Sequence, residues 1–174
     1  MKSLLPTFLL LTALLAGCAT APSTTPSAPG GPVTATALPR AANGLSPALE
    51  AQRLRMADAV AGTPVVVAAT ANQQLRVEVP LKFAFDAGRV TVKPPLAAVL
   101  DQLATGYKPQ VLLTELRINA PTDDKGAAGL ATQRAQSVRD HLVSRGVPAN
   151  RIAALGRADG AAVEIVVSDR VAPR

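Results

Sequence analysis

Apolar positions recur along this chain with two periods, and the switches between them lay out the elements. Leu75, Val77 and Val79 alternate with Arg76 and Glu78, the period of a half-buried strand. Residues 65–69 are an apolar run on the other side of Asn72-Gln73, so the two segments read as a hairpin. Residues 81–86 continue outward, and Phe83 and Phe85, two apart in an extended segment, are expected to share one core-facing side. Pro94 and Pro95 open a helix in which Leu96, Val99, Leu100 and Leu103 repeat at i, i+3, i+4 and i+7, and Gly106 is expected to end it. Residues 114–120 alternate again, with Leu116, Ile118 and Ala120 on one face. The next helix presents Ala131, Ala135, Val138 and Leu142 inward. The stretch 146–152 ends it and leads into a strand, and 162–168 alternates as the last strand. Ahead of the hairpin, Ser46 and Pro47 suit an N-cap and first helical position. They predict a helix over 46–61 with a thin apolar side of Leu49, Arg53, Met56 and Val60, closed by Gly62.

This order is strand, helix, strand, helix, strand, strand, with an added N-terminal hairpin strand. It predicts an α/β sandwich: a mixed β-sheet with helices packed on one face.

The chemistry concentrates in residues 122–138. There Thr122-Asp123-Asp124-Lys125-Gly126 follows a strand, and Arg134-Ala135-Gln136-Ser137-Val138 lies on the next helix. Asp123 stands at the strand exit and Arg134 in the second helical turn, at the edge of the buried face. An acid and a base left unmated in this way suit a zwitterion, the carboxylate taking an ammonium and the guanidinium a carboxylate. The helix N-terminus adds partial positive charge for the same anion. The same two residues also suit a structural pair, the acid capping a turn and the base covering it. A solvent-open gap between them favours the first reading, and a closed ion pair the second.

Charge and composition narrow the partners. The net charge is +6, which attracts anionic polymers in general, or is simply a solvated basic surface. Aromatics are 2% with no Trp, which argues against stacking on nucleic-acid bases. No Gly-rich phosphate loop, Ser-x-x-Lys or Gly-x-Ser-x-Gly motif occurs, and His141, the one histidine, lies on the polar side of its helix beside Asp140. No enzyme, cofactor or metal site is expected.

Residues 1–17 read as a leader: Lys2 is a positive n-region, and residues 4–16 are an apolar stretch too short to span a membrane. Leu15-Ala16-Gly17-Cys18 resembles the lipobox of bacterial lipoprotein precursors, which implies lipidation at Cys18, the one cysteine. An ordinary secretory signal with a chance cysteine is the alternative. Ala19 in place of Asp implies, by the same resemblance, sorting to the outer membrane. Residues 18–45 are rich in Pro, Ser, Thr and Ala and read as a flexible tether reaching on the order of 80 Å when stretched. Residues 46–62 are then a helix preceding the domain, 63–170 the domain, and 171–174 a tail.

Thr-Asp-x-x-Gly followed by Arg-Ala-x-x-Val on a helix resembles the OmpA-like peptidoglycan-binding domain, as in peptidoglycan-associated lipoproteins. Residues 81–86 resemble the Phe-Asp-Phe-Asp segment that opens that domain, and 146–152 its Gly-Val-x-x-x-Arg-Ile stretch. The resemblance implies that Asp123 and Arg134 hold the diaminopimelate of the peptidoglycan stem peptide, with Thr122 in the motif and Asp86 at the pocket wall. It implies a periplasm-facing lipoprotein that links outer membrane to cell wall, with other envelope proteins as further partners. The motif is shortened: the loop after Gly126 is about four residues shorter than usual and lacks its Asn, and Gly160-Ala161-Ala162 replaces Asn-Arg-Arg. The alternative is therefore a degenerate domain that serves as a protein-interaction module without binding peptidoglycan.

Overall fold

The computed structural model of the chain describes residues 44–110, 113–123 and 129–170. All of these belong to one compact unit, Thr36–Arg174. The expected leader, Cys18, the tether up to residue 43, the loop residues Asp124, Lys125 and Gly126, and the tail 171–174 lie outside the described residues.

Two strands, β1 (Val66–Ala69) and β2 (Leu75–Pro80), pair antiparallel around a turn closed by hydrogen bonds between Thr70 and Gln74. Three more strands follow: β3 (Thr114–Ala120), β4 (Ile152–Arg157) and β5 (Ala162–Asp169). They complete a five-stranded sheet in the order β1-β2-β5-β3-β4. The β3–β4 pair is parallel and the others are antiparallel, so the sheet is mixed as the patterning predicts. Helix α3 (Pro94–Tyr107) connects β2 to β3, and α4 (Leu130–Ser144) carries the crossover from β3 to β4.

The alternation along the strands becomes the two faces of the sheet. Leu75, Val77, Val79, Leu116, Ile118, Ala120, Val163, Ile165 and Val167 are buried, and they share one core with Leu96, Val99, Leu100, Leu103, Ala135, Val138 and Leu142 of the helices. The opposite face is polar. Arg76 lies 3.2 Å from Glu78 and 3.8 Å from Glu164, and Asn119 Nδ2 donates to Glu164 at 2.9 Å. Gly156 of β4 belongs here, since a Cβ on it would stand 2.5 Å from Asn119 Oδ1.

Helix α1 (Pro47–Ala59) begins at its expected cap: Ser46 Oγ accepts from Leu49 N at 3.4 Å and donates to Asp169 Oδ1 at 3.0 Å. It is built into the core rather than laid ahead of it, because Leu45, Leu49 and Met56 are buried among the strand and helix residues. Its inner side is completed by Gln52, not Arg53; Arg53 instead pairs with Glu50 on the outer side.

Two local expectations are corrected. Residues 81–84 form a helical turn, α2 (Leu81–Ala84), instead of continuing extended. Pro80 has no N–H to continue the ladder, Leu81 N donates to Ala161 O at 2.9 Å, and Phe85 N closes the turn on Leu81 O. Phe83 and Phe85 therefore part company: Phe85 is buried, whereas Phe83 is only half-buried with Lys82 Nζ over its ring. Gly106 does not end α3, which runs through Tyr107; Tyr107 is buried and donates to Thr114 O at 2.8 Å. Gly106 instead leaves space beside Gln52, whose Cγ would stand 3.4 Å from an added Cβ.

Candidate functional site

Beyond α2 the chain folds back through a tight turn at residues 86–89, in which Arg89 N donates to Asp86 O at 3.0 Å and Gly88 adopts φ +65°. A left-handed backbone there is cheap only for glycine. It turns the Gly88 N–H toward the exit of β3, where Asp123 Oδ2 accepts it at 2.6 Å. The carbonyls of the same turn point the other way, into α4.

Arg134 receives them. Its Nε donates to Arg89 O at 2.9 Å, Nη1 to Pro121 O at 3.0 Å, and Nη2 to Asp86 O at 3.2 Å and to Asp123 Oδ1 at 2.9 Å. The guanidinium carbon lies 5.1 Å from the centre of the Phe85 ring. Arg134 is 0% exposed, so this cation survives burial through three carbonyls, one carboxylate and a ring face. The open, unmated arrangement expected of Asp123 and Arg134 is corrected here to a closed ion pair. The reason is that the 86–89 turn and the strand exit supply more acceptors than the sequence distance between the two residues discloses.

Asp123 remains accessible, with 23% of its side chain exposed. The Gly88 amide first, and the Arg134 hydrogen bond next, hold its carboxyl below the ordinary value. A carboxylate offers about four lone-pair sites. Gly88 and Arg134 engage one on each oxygen, which leaves an outward side that faces a groove.

That groove encloses about 630 Å³, within the usual size of small-ligand sites. Phe85, Pro80, Leu81 and Ala161 give it apolar walls, and Lys82, Asp86, Lys93 and Asp123 bring both signs of charge to its rim. Lys93 Nζ lies 2.9 Å from Asp86 Oδ1 and donates to Lys82 O at 3.1 Å. An apolar trough edged by acids and ammoniums suits a ligand with an alkyl chain and charges of both signs.

Residues 84–169 match the OmpA family. They are an OmpA-family domain. Solved structures of similar fold include a MotB-like protein from Desulfovibrio vulgaris, 18% identical with a TM-score of 0.59 over 71% of this chain and 92% of that one. The cell wall anchor of the T6SS from Pseudomonas aeruginosa is 20% identical with a TM-score of 0.57, over 68% of this chain and 97% of that one. The periplasmic domain of Helicobacter pylori MotB (residues 90–256) is 18% identical with a TM-score of 0.54, over 64% and 83%. None of the curated proteins matches the chain.

Within the OmpA-family domain, the structure brings three of the four sequence-nominated ligand residues around one turn. Asp123 and Asp86 line the groove, and Arg134 lies beneath it. Thr122 is half-buried at the strand exit and is not part of the groove wall. Sequence reasoning missed Gly88, whose amide holds Asp123, and Lys93, the groove's second ammonium. Gly88 had a signal in the Asp-Ala-Gly order of a turn, and Lys93 had one in its place just before the Pro-Pro that opens α3. His141 is also more engaged than expected: it leaves Asp140 and lies 2.7 Å from Asp101 on α3.

Proposed function

We propose that this OmpA-family domain binds peptidoglycan non-covalently, with the side-chain ammonium of stem-peptide diaminopimelate on Asp123. Arg134 is the buried post that holds Asp123 and the 86–89 turn in place, and Asp86 forms part of the rim. On this reading the chain is a binding protein, not an enzyme. It is anchored in the outer membrane through lipid on Cys18, faces the periplasm, and uses residues 18–45 as a tether to the wall. The observation that carries the reading is an ionised carboxylate, fixed from behind by a buried guanidinium and a backbone amide, at the edge of an open groove rimmed by both signs of charge.

Magnitudes fit a weak site used many times. One charge-assisted hydrogen bond contributes about 1.5–3 kcal/mol, against association costs of about 4–15 kcal/mol. A domain tethered beside a dense polymer meets its ligand at an effective concentration of about millimolar.

Co-sedimentation of the purified full-length protein, in mild detergent, with insoluble peptidoglycan sacculi tests the proposal. Asp123→Asn keeps the size of the side chain while removing its charge and one of its two acceptor oxygens, and it is expected to lower the bound fraction about tenfold. The wild-type protein should stay bound at about 1 M salt, where the Debye length is about 3 Å and non-specific adsorption of a basic protein is screened.

A second reading, an interaction module that does not bind the wall, is favoured by the closed Arg134–Asp123 pair. It also has a surface to use, an apolar groove of about 490 Å³ lined by Val60, Pro64, Val65, Phe83, Pro95 and Ala98. Sedimentation indifferent to Asp123→Asn supports this reading over the first.

A further inference from the structure

The buried state of Arg134 leaves a question in the site just proposed. A diaminopimelate side chain ends in a carboxylate beside its ammonium, and the guanidinium expected to take it already donates to four acceptors and is 0% exposed. Another cation must meet that carboxylate.

Among the described residues, the groove holds two ammoniums. Lys82 Nζ is already engaged over the Phe83 ring, 4.9 Å from its centre. Lys93 stands at the start of α3 with 32% of its side chain exposed and shares the groove rim with Asp123. Its ammonium has three protons. One goes to Lys82 O, which fixes the amine in place, and one to Asp86, whose side chain is 69% exposed. A carboxylate so open to water is held weakly, so an incoming carboxylate can take its place at the ammonium.

We propose that Lys93 is the carboxylate-binding residue of this groove, releasing Asp86 to the solvent as the ligand's free side-chain carboxylate arrives. The groove then selects stem peptides whose diaminopimelate carboxylate is free over those in which it is amidated. This rests on the reading of Asp123 as the ammonium acceptor. The two assignments divide the zwitterion: Asp123 reads its positive end and Lys93 its negative end.

The experiment titrates the full-length protein with two disaccharide-tetrapeptides that differ only in whether the diaminopimelate side-chain carboxylate is free or amidated. The wild-type protein is expected to bind the free form about tenfold more tightly, the size of one charge-assisted contact. Lys93→Gln should weaken the free form to the level of the amide and leave the amide unchanged, and Lys93→Arg should keep the preference. Thermal unfolding of each variant verifies that it is folded. If the preference for the free form survives in Lys93→Gln while Asp123→Asn weakens binding of both about tenfold, the Lys93 assignment is overturned and the Asp123 site stands. If Asp123→Asn leaves both affinities unchanged, or the wild-type protein binds neither peptide, the Asp123 site falls and the Lys93 assignment with it.

Discussion

At each end of helix α4 basic side chains meet one carboxylate from another part of the chain, and the two meetings are built in opposite ways. Near its start, Arg134 is sealed in and shared among Asp123, three carbonyls and the Phe85 ring. Near its end, His141 and Arg145 each approach one oxygen of Asp101 at 2.7 Å, with side-chain exposures of 17%, 51% and 39%. Sign and distance are alike, and solvent access is not. A buried cation must have its donors satisfied by protein, so the surrounding loops take their shape from it. A surface cluster has water as a substitute for every partner, so it joins α3 to α4 without dictating either.

The comparison breaks most visibly at Arg134. Arg134→Met fills similar space but leaves the buried Pro121 carbonyl and the 86–89 turn without their donor. A loss of about 3–5 kcal/mol in unfolding free energy is expected from urea titration. A loss below about 1 kcal/mol would show that the guanidinium organises nothing. Asp101→Asn, by contrast, should cost at most about 1 kcal/mol in the same titration and leave sacculus binding unchanged. Equal losses at the two ends of α4 would erase the distinction drawn here.

Acidification gives the smallest effect. Asp123 is held below the ordinary carboxylate value chiefly by the Gly88 amide, and Asp101 chiefly by its hydrogen bond to His141. A carboxylate with a depressed folded-state pKa contributes its stability in full above the unfolded value, about 3.9, and loses it as pH falls through the lower folded value. Melting temperature plotted against pH should therefore fall below about pH 3.9. Asp101→Asn or Asp123→Asn should each make that acid limb shallower, and an acid limb unchanged in both variants counts against the depressed values.

What periodicity could disclose, it did. Leu75, Val77 and Val79, the Leu96–Leu103 stripe, and Ala135, Val138 and Leu142 are all buried on the predicted faces. Each of these depends on neighbours a few residues away. The site depends on meetings across the chain, because the acceptors of Arg134 at Asp86 and Arg89 come from 48 and 45 residues earlier. An arginine beside Ala135 reads as an edge residue until that turn folds over it. The 81–84 helix was hidden for a different reason. Leu-Lys-Phe-Ala-Phe alternates like a strand, but the proline ahead of it removes the ladder bond an extended continuation would use. His141 and Asp101 sit on separate helices, 40 residues apart, and no local pattern joins them.

The hydrogen bond from Ser46 to Asp169 has a mechanical consequence. It fastens the first turn of α1 to the end of β5, a strand with neighbours on both sides, while β1 at the sheet's margin comes later in the chain. Tension arriving from the N-terminal side meets Leu45 and Leu49 in the core and this fastening before it reaches the marginal hairpin. A pull from that side therefore bears on a contact with an inner strand before it bears on the rim strand β1.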